Sequence, residues 1–277
     1  MQLEKKMTEQ TLEVIASVPA KTGFSLSNFG FVLTNLVAKD FKIRYRNMSL
    51  GVLWSLANPL IMMLVLNFVF TKILVSPTAK SYPAFLLCGL IPFNFFSGAW
   101  NTGTASLHGN APLVKRVPMV REIIPLSTVL ASCIHFLIQL ALLLILVVVV
   151  GNPVTIVWLW IPSVLMLEIA AVSGLALICS ALDVYLRDTR YVVESLGVIL
   201  FWGSPIIYPF AKVPAAIRGI YLTNPAAAAI VGLRSILLDG KSPSANVLVT
   251  AAVVSVLLLT FGLIVFHRLS RNFADYL

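Results

Sequence analysis

Apolar residues run along this chain in blocks long enough to cross a bilayer, which takes about 20 predominantly apolar residues per helix. That ruler predicts six spans, at residues 52–74, 84–104, 124–150, 154–182, 192–210 and 246–267. The connections differ in kind. Gly-Asn-Pro at 151–153 is a tight turn, whereas 105–123 and 211–245 are long and mixed in polarity. Ahead of the first block, Leu26, Phe29, Leu33, Leu36, Val37 and Phe41 recur at helical spacing while Lys39, Asp40, Lys42 and Arg44 crowd the end. This pattern predicts an amphipathic helix over 26–49 lying in the membrane interface, between a tail at 1–25 and a transmembrane unit at 50–277.

Helix breakers interrupt several blocks: Asn58-Pro59 in the first, Gly89 and Pro92 in the second, Gly203-Ser204-Pro205 toward the end of the fifth. Proline removes a backbone donor, and carbonyls freed at membrane depth must be satisfied by protein or by water in a cavity. Residues 208–246 are too interrupted to span and too apolar for a free loop. The Ala-rich part, 226–238, would make a helix about 20 Å long against a core of about 30 Å, so short helices re-entering the outer leaflet are expected there.

Composition agrees with the block pattern. Hydrophobic residues make up 59% of the 277 and charged residues 11%, against about 25% charged in soluble domains. The fold class is therefore an all-α polytopic membrane protein. The net charge of +9 belongs to cytoplasmic loops, which collect Lys and Arg, rather than to a nucleic-acid partner. With six spans and the N-terminus inside, 14 Lys and Arg fall on the cytoplasmic side and 6 outside, which orients both termini inward. The first 23 residues hold no apolar stretch of signal-peptide type, so insertion is expected to use the first span. Cys88, Cys133 and Cys179 are far apart in apolar stretches and read as small buried hydrophobes.

Little in the chain looks catalytic. The acids include no closely paired carboxylates inside a span, and His108, His135 and His267 are scattered; a membrane-embedded transferase would need such groups to converge. Gly240-Lys241-Ser242 resembles the end of a phosphate loop, but Ser235 stands where that motif requires glycine. No nucleotide site is identifiable. Glu168 is the single acid near the middle of a span, a place where an ionisable group marks function by default; a proton-coupled carrier would use it. Aromatics gather in the first two spans and the fifth. They read either as lipid and interface contacts or as flat faces lining a path along which a sugar chain slides, with Phe68, Phe93, Phe96, Trp100, Phe201, Trp202 and Tyr208 as lining candidates.

Four blocks, in order across residues 30–240, resemble the permease subunit of ATP-binding-cassette exporters of bacterial cell-envelope polysaccharides, the O-antigen and teichoic acid type. They are KDFKIRYRNMSLGVLWSLANPL, CGLIPFNFFSGAWNTGTASLHGNAPLVKRVPMVREIIPLS, ALDVYLRDTRYVVESLGVILFWGSPIIYP and NPAAAAIVGLRSILLDG. Departures are Phe93 for Trp, Met119-Val120 for an aromatic-Pro step, and Asp183 for Asn.

The resemblance implies a homodimer in the bacterial cytoplasmic membrane, enclosing a channel for a lipid-linked glycan such as a lipopolysaccharide precursor. It also implies two separate ATPase subunits that bind ATP and Mg, leaving no cofactor and no enzymatic role in this chain. ATPase coupling would then fall to Lys39, Asp40, Arg44, Tyr45 and Arg46, to Lys115, Arg116, Pro118, Arg121 and Glu122 in a loop over 105–123, and to the turn at Arg187 and Asp188. A drug or lipid exporter of the same fold and a carrier working alone through Glu168 are the alternatives.

Overall fold

The computed structural model describes residues 26–45, 51–73, 81–116 and 120–276. The tail at 1–25, Arg46 and Pro118 lie outside the described residues. Among those described, helices account for nearly all regular structure: α1 Leu26–Tyr45, α2 Trp54–Phe68, α3 Tyr82–Gly109, α4 Ala111–Arg116, α5 Ile123–Val149, α6 Ile161–Tyr185, α7 Thr189–Gly203, α8 Arg218–Leu222, α9 Pro225–Leu237, α10 Ala245–Leu269 and α11 Phe273–Tyr276. A 3-10 turn leads into α2 and another into α6, and a π-type turn prolongs α2 to Ile73.

Among the described residues five stretches are long and apolar enough to cross a membrane, Trp54–Ile73, Tyr82–Gly109, Ile123–Val149, Ile156–Tyr185 and Ala245–Asn272, and the bent pair Ala215–Leu222 with Pro225–Leu237 makes a sixth if it counts as one span. The block expected to span at 192–210 departs from the prediction. It forms α7, of 15 residues, about 22 Å long at helical rise and short of the hydrocarbon core. Pro205 is the cause, because a residue before proline is pushed out of the helical region. Ser204 accordingly sits at φ −94°, ψ 151° and ends the helix. Beyond it come short turns, then α8 and α9, bent by 106° relative to each other. Helix α9 begins with Pro225 at a position where no donor is needed, and the Asn224 side chain accepts from the Ala226 amide.

The stretch 105–116 is helical up to a kink at Asn110, where α3 hands over to α4. Helix α3 is the hub. Of its most apolar window 78% is buried, against 17% for the spans of α2 and of α10, and α5, α6, α7 and α9 all pack on it. In lipid there is no hydrophobic drive to pair helices, so close packing of small residues supplies it. A Cβ on Gly103 would lie 2.6 Å from the Ala176 Cβ, one on Gly174 would lie 2.4 Å from the Leu258 carbonyl, and one on Gly262 would lie 2.6 Å from the Gly174 oxygen. These contacts stack α3, α6 and α10 in a row.

Helix α1 packs along α5. Its contacts advance in the same direction on both helices: Val32 and Leu36 share a core with Ile123 and Ile124, Asp40 meets Thr128, and Tyr45 meets His135.

Substituting Gly174 or Gly262 with Val forces backbone apart and is expected to cost about 3 kcal/mol or more each, the upper range for overpacking. Gly219, which has open space around its Cα, should accept Val. The check is the yield of monodisperse protein and its thermal unfolding midpoint in detergent.

Candidate functional site

Two regions gather the functional candidates. The first is the end of the bundle where α1, α4, the start of α5 and the end of α10 meet. Lys39 is buried; its ammonium donates to the Asn110 side chain and lies 3.7 Å from Asp40. Thr128 donates to the other Asp40 oxygen at 3.3 Å. Burial pushes the Asp40 carboxyl up from its ordinary range, against the opposing pull of Lys39. Phe41 stacks on His135 with ring centroids 5.6 Å apart, and the Tyr45 hydroxyl bonds His135 Nδ1. Arg44 and Lys42 remain exposed. Charged residues toward the end of α1 thus serve two purposes: Lys39 and Asp40 dock the helix, Arg44 stays available.

Across the same end, the Arg121 guanidinium donates to the Ser270 carbonyl and sits 6.0 Å from the Phe273 ring centroid, while Glu122 lies 3.6 Å from His267. Both turn toward the C-terminal helices. Lys115 is exposed on α4, and Arg116 ends that helix. Arg187 and Asp188 are exposed in the turn between α6 and α7. The ion pair at this corner uses different residues. Asp183 is fully buried and receives the Arg190 guanidinium on both oxygens, at 2.8 and 2.7 Å, with His108 of α3 at 3.7 Å. Three helices are tied together by that one carboxylate.

The second region is the broken end of α7. Phe201, Trp202, Tyr208, Phe70, Tyr82 and Lys212 border a cavity of about 190 Å³. Trp202 is exposed, as is Phe68 on α2, and the Tyr208 hydroxyl pairs with that of Tyr221 at 2.6 Å. Phe93 packs edge-on against Phe201. Phe96 and Trp100 are buried within the subunit, and the Trp100 indole donates to the Cys179 sulfur at 3.2 Å. The seven lining candidates therefore divide: Phe93, Phe96 and Trp100 face the interior of the chain, Phe68 and Trp202 face outward, and Phe201 and Tyr208 lie between.

Arg234 holds this region together. It was counted from sequence among the outside loop charges, yet it is 7% exposed. It donates to the Pro205 and Tyr208 carbonyls through one terminal nitrogen, and to those of Ile206 and Phe85 through the other. Its plane lies over the Phe85 ring at 3.4 Å. Tyr82 adds a bond to the Ile207 carbonyl at 3.1 Å, and Asn224 one to Ser204 at 3.0 Å. The signal for Arg234 was present in the sequence, as a lone cation in a 13-residue Ala-rich helix, but its carbonyl partners are 26 to 149 residues away.

Glu168 belongs to neither region. It is 2% exposed, faces a small void bordered by Ala228 of α9 and Ser255 of α10, and neither carboxyl oxygen has a hydrogen-bond partner among the described residues.

Residues 32–238 match the family described as ABC-2 type transporter. An O-antigen export system permease protein, RfbA, of Klebsiella pneumoniae is 31% identical over 255 residues, covering 90% of this chain and 97% of that protein. Its namesake from Myxococcus xanthus is 28% identical, covering 88% and 94%. The polysialic acid transport protein KpsM of Escherichia coli is 26% identical, covering 74% and 80%.

Replacing Arg234 with Met strands four carbonyls, three of them in buried bonds. A loss of about 3 kcal/mol or more is expected, at about 1–3 per buried group left unsatisfied. Lys, a point charge without the planar fork, should recover only a minor part. Thermal unfolding of the purified variants checks this, and an unchanged midpoint in Arg234→Met would remove the clamp.

Proposed function

The chain belongs to the ABC-2 type transporter family, and on that premise we propose that it is the transmembrane permease of an ATP-driven exporter of a cell-envelope polysaccharide. The observation that carries the reading is near full-length similarity to two O-antigen export permeases and partial similarity to a polysialic acid transport protein. A multi-pass helical chain with no phosphate loop fits a subunit that moves cargo while a separate ATPase supplies the energy.

In this reading two copies pair and enclose the path for a lipid-linked glycan, with two ATP-binding-cassette subunits on the cytoplasmic side, where both termini also lie. The ATPase contacts are α4, with Lys115 and Arg116, and the turn at Arg187 and Asp188. A push on α4 passes into α3 at Asn110, and from Asn110 through Lys39 into α1. Arg121 carries the same movement to the end of α10. At the other end, Trp202, Phe201 and Tyr208 offer aromatic faces beside the broken end of α7. Such faces bind sugar rings without the directional hydrogen bonds that would stall a sliding polymer.

Co-expression with an ATP-binding-cassette subunit encoded beside this gene is expected to give a stable complex whose ATPase is needed for export, and Glu168→Gln should leave export within about twofold, a difference under 0.5 kcal/mol. Recovery of the chain as a lone monomer, with export abolished by that substitution, would favour a self-sufficient carrier instead.

Trp202→Ala is expected to slow export roughly tenfold, about 1.4 kcal/mol, with unchanged assembly. Trp100→Ala should lower the thermal midpoint, because that ring is packed inside the subunit. The pair is checked by export assay and thermal unfolding in parallel.

A further inference from the structure

Between the end of α1 and the middle of α3 and α5 lies a cavity of about 70 Å³ whose polar border is Arg44, Asn94, Ser132, His135 and Gln139. At about 30 Å³ per water it has room for one compact polar group. Among the described residues no carboxylate borders it: Asp40, the nearest acid on α1, is occupied by Lys39 and Thr128.

The polar groups at its border can donate. Arg44 presents an exposed guanidinium fork, the geometry that matches phosphate oxygens two at a time. Asn94 has a free amide among the described residues, and the Ser132 hydroxyl, which donates to the Thr128 carbonyl at 3.1 Å, can turn to another partner. His135 is 6% exposed and its Nε2 is buried without a partner among the described residues. The Tyr45 hydroxyl is bonded to His135 Nδ1; with the phenol as donor, the neutral ring carries its hydrogen on Nε2, on the ring that borders the cavity.

The fifth polar residue, Gln139, is engaged elsewhere: its amide donates to the Ser55 carbonyl at 2.8 Å, which joins the cavity wall to the first turn of α2.

We infer that this cavity is a binding site for a phosphate group, held by Arg44, Asn94, Ser132 and His135 at the junction of α1 with α3 and α5. The phosphate comes either from a lipid headgroup or from solution. Occupancy would tie the end of α1 to the two central spans. The site stands on its own donor chemistry and does not depend on the export reading.

The full chain in a phosphate-free maltoside detergent is titrated with dioleoyl phosphatidylglycerol, a polyprenyl phosphate, inorganic phosphate and, as the phosphate-free control, dioleoylglycerol, with binding read by native mass spectrometry. Wild type should bind the phosphate-bearing lipids at least tenfold more tightly than dioleoylglycerol. Arg44→Gln and Asn94→Ala, each first verified as monodisperse, should lose at least tenfold of that. Equal displacement by inorganic phosphate at matched concentration also supports the site and assigns the free anion as its source. Phosphate-bearing probes binding no better than dioleoylglycerol, or wild-type affinity in either variant, would overturn it.

Discussion

A backbone carbonyl inside a membrane must find a donor within the protein, and one end of this structure depends on how that demand is met. Gly203-Ser204-Pro205 ends α7 after 15 residues and leaves carbonyls that a continuous helix would have satisfied itself. Arg234 answers with four bonds, three to the broken segment and one to α3. A guanidinium suits this task because its donors diverge in one plane, and its flat face can lie on an aromatic ring. Phe85 supplies the ring. Gly89 supplies the room, since a Cβ there would come within 2.9 Å of the guanidinium and 3.0 Å of the Ile206 backbone. A glycine that reads in sequence as a helix breaker is in the fold a space kept open for a cation, and the helix carrying it runs on unbroken.

The opposite end uses charge differently. Asp183 is buried beneath a two-toothed Arg190 contact and a histidine from α3. This geometry satisfies a buried carboxylate, and removing one partner from such a site is far costlier than the pair's net worth. Lys39 and Asp40 form a looser version on α1, where an amide and a hydroxyl share the load. Both arrangements add polar ties to helices that the apolar core of Val32, Leu36, Leu107, Leu177 and Val184 also joins. Rigid coupling between α1, α3, α6 and α7 at this end is their common effect, so a displacement applied to α1 or α4 cannot be absorbed locally.

Span boundaries were legible because the hydrophobic ruler is set by the bilayer and acts on each helix alone. The block at 124–150 and the helix Ile123–Val149 differ by one residue at each end. The same ruler failed at 192–210, where apolarity continues past the point at which Pro205 stops the helix. Side-chain partnerships were less legible for a related reason. Arg187 and Asp188 are adjacent and conspicuous, yet both are exposed, whereas the buried pair uses Asp183 and Arg190, seven residues apart and brought together by the turn. His135 offered no signal at all. Its significance comes from Tyr45 and Arg44, about 90 residues earlier in the chain, which reach it only once α1 lies along α5.

Burial along the spans then indicates which surfaces are unfinished. Helix α3 is enclosed by its own chain, while α2 packs on α3 and α5 and α10 packs on α6 and α9, each leaving most of its length uncovered. Helix α7 joins them, with Val192, Leu196, Ile199 and Trp202 exposed along its length. Lipid can cover α2 and α10, which are long enough to meet it from one leaflet to the other. Helix α7 is too short for that, and the carbonyls of residues 205–208 after its end rely on Arg234 and Tyr82. A short helix ending in irregular backbone is stable at membrane depth only beside protein or a water-filled space. The face of α7 that carries Trp202 is therefore the one whose surroundings must be supplied from outside this chain, and it is the same face that borders the aromatic cavity.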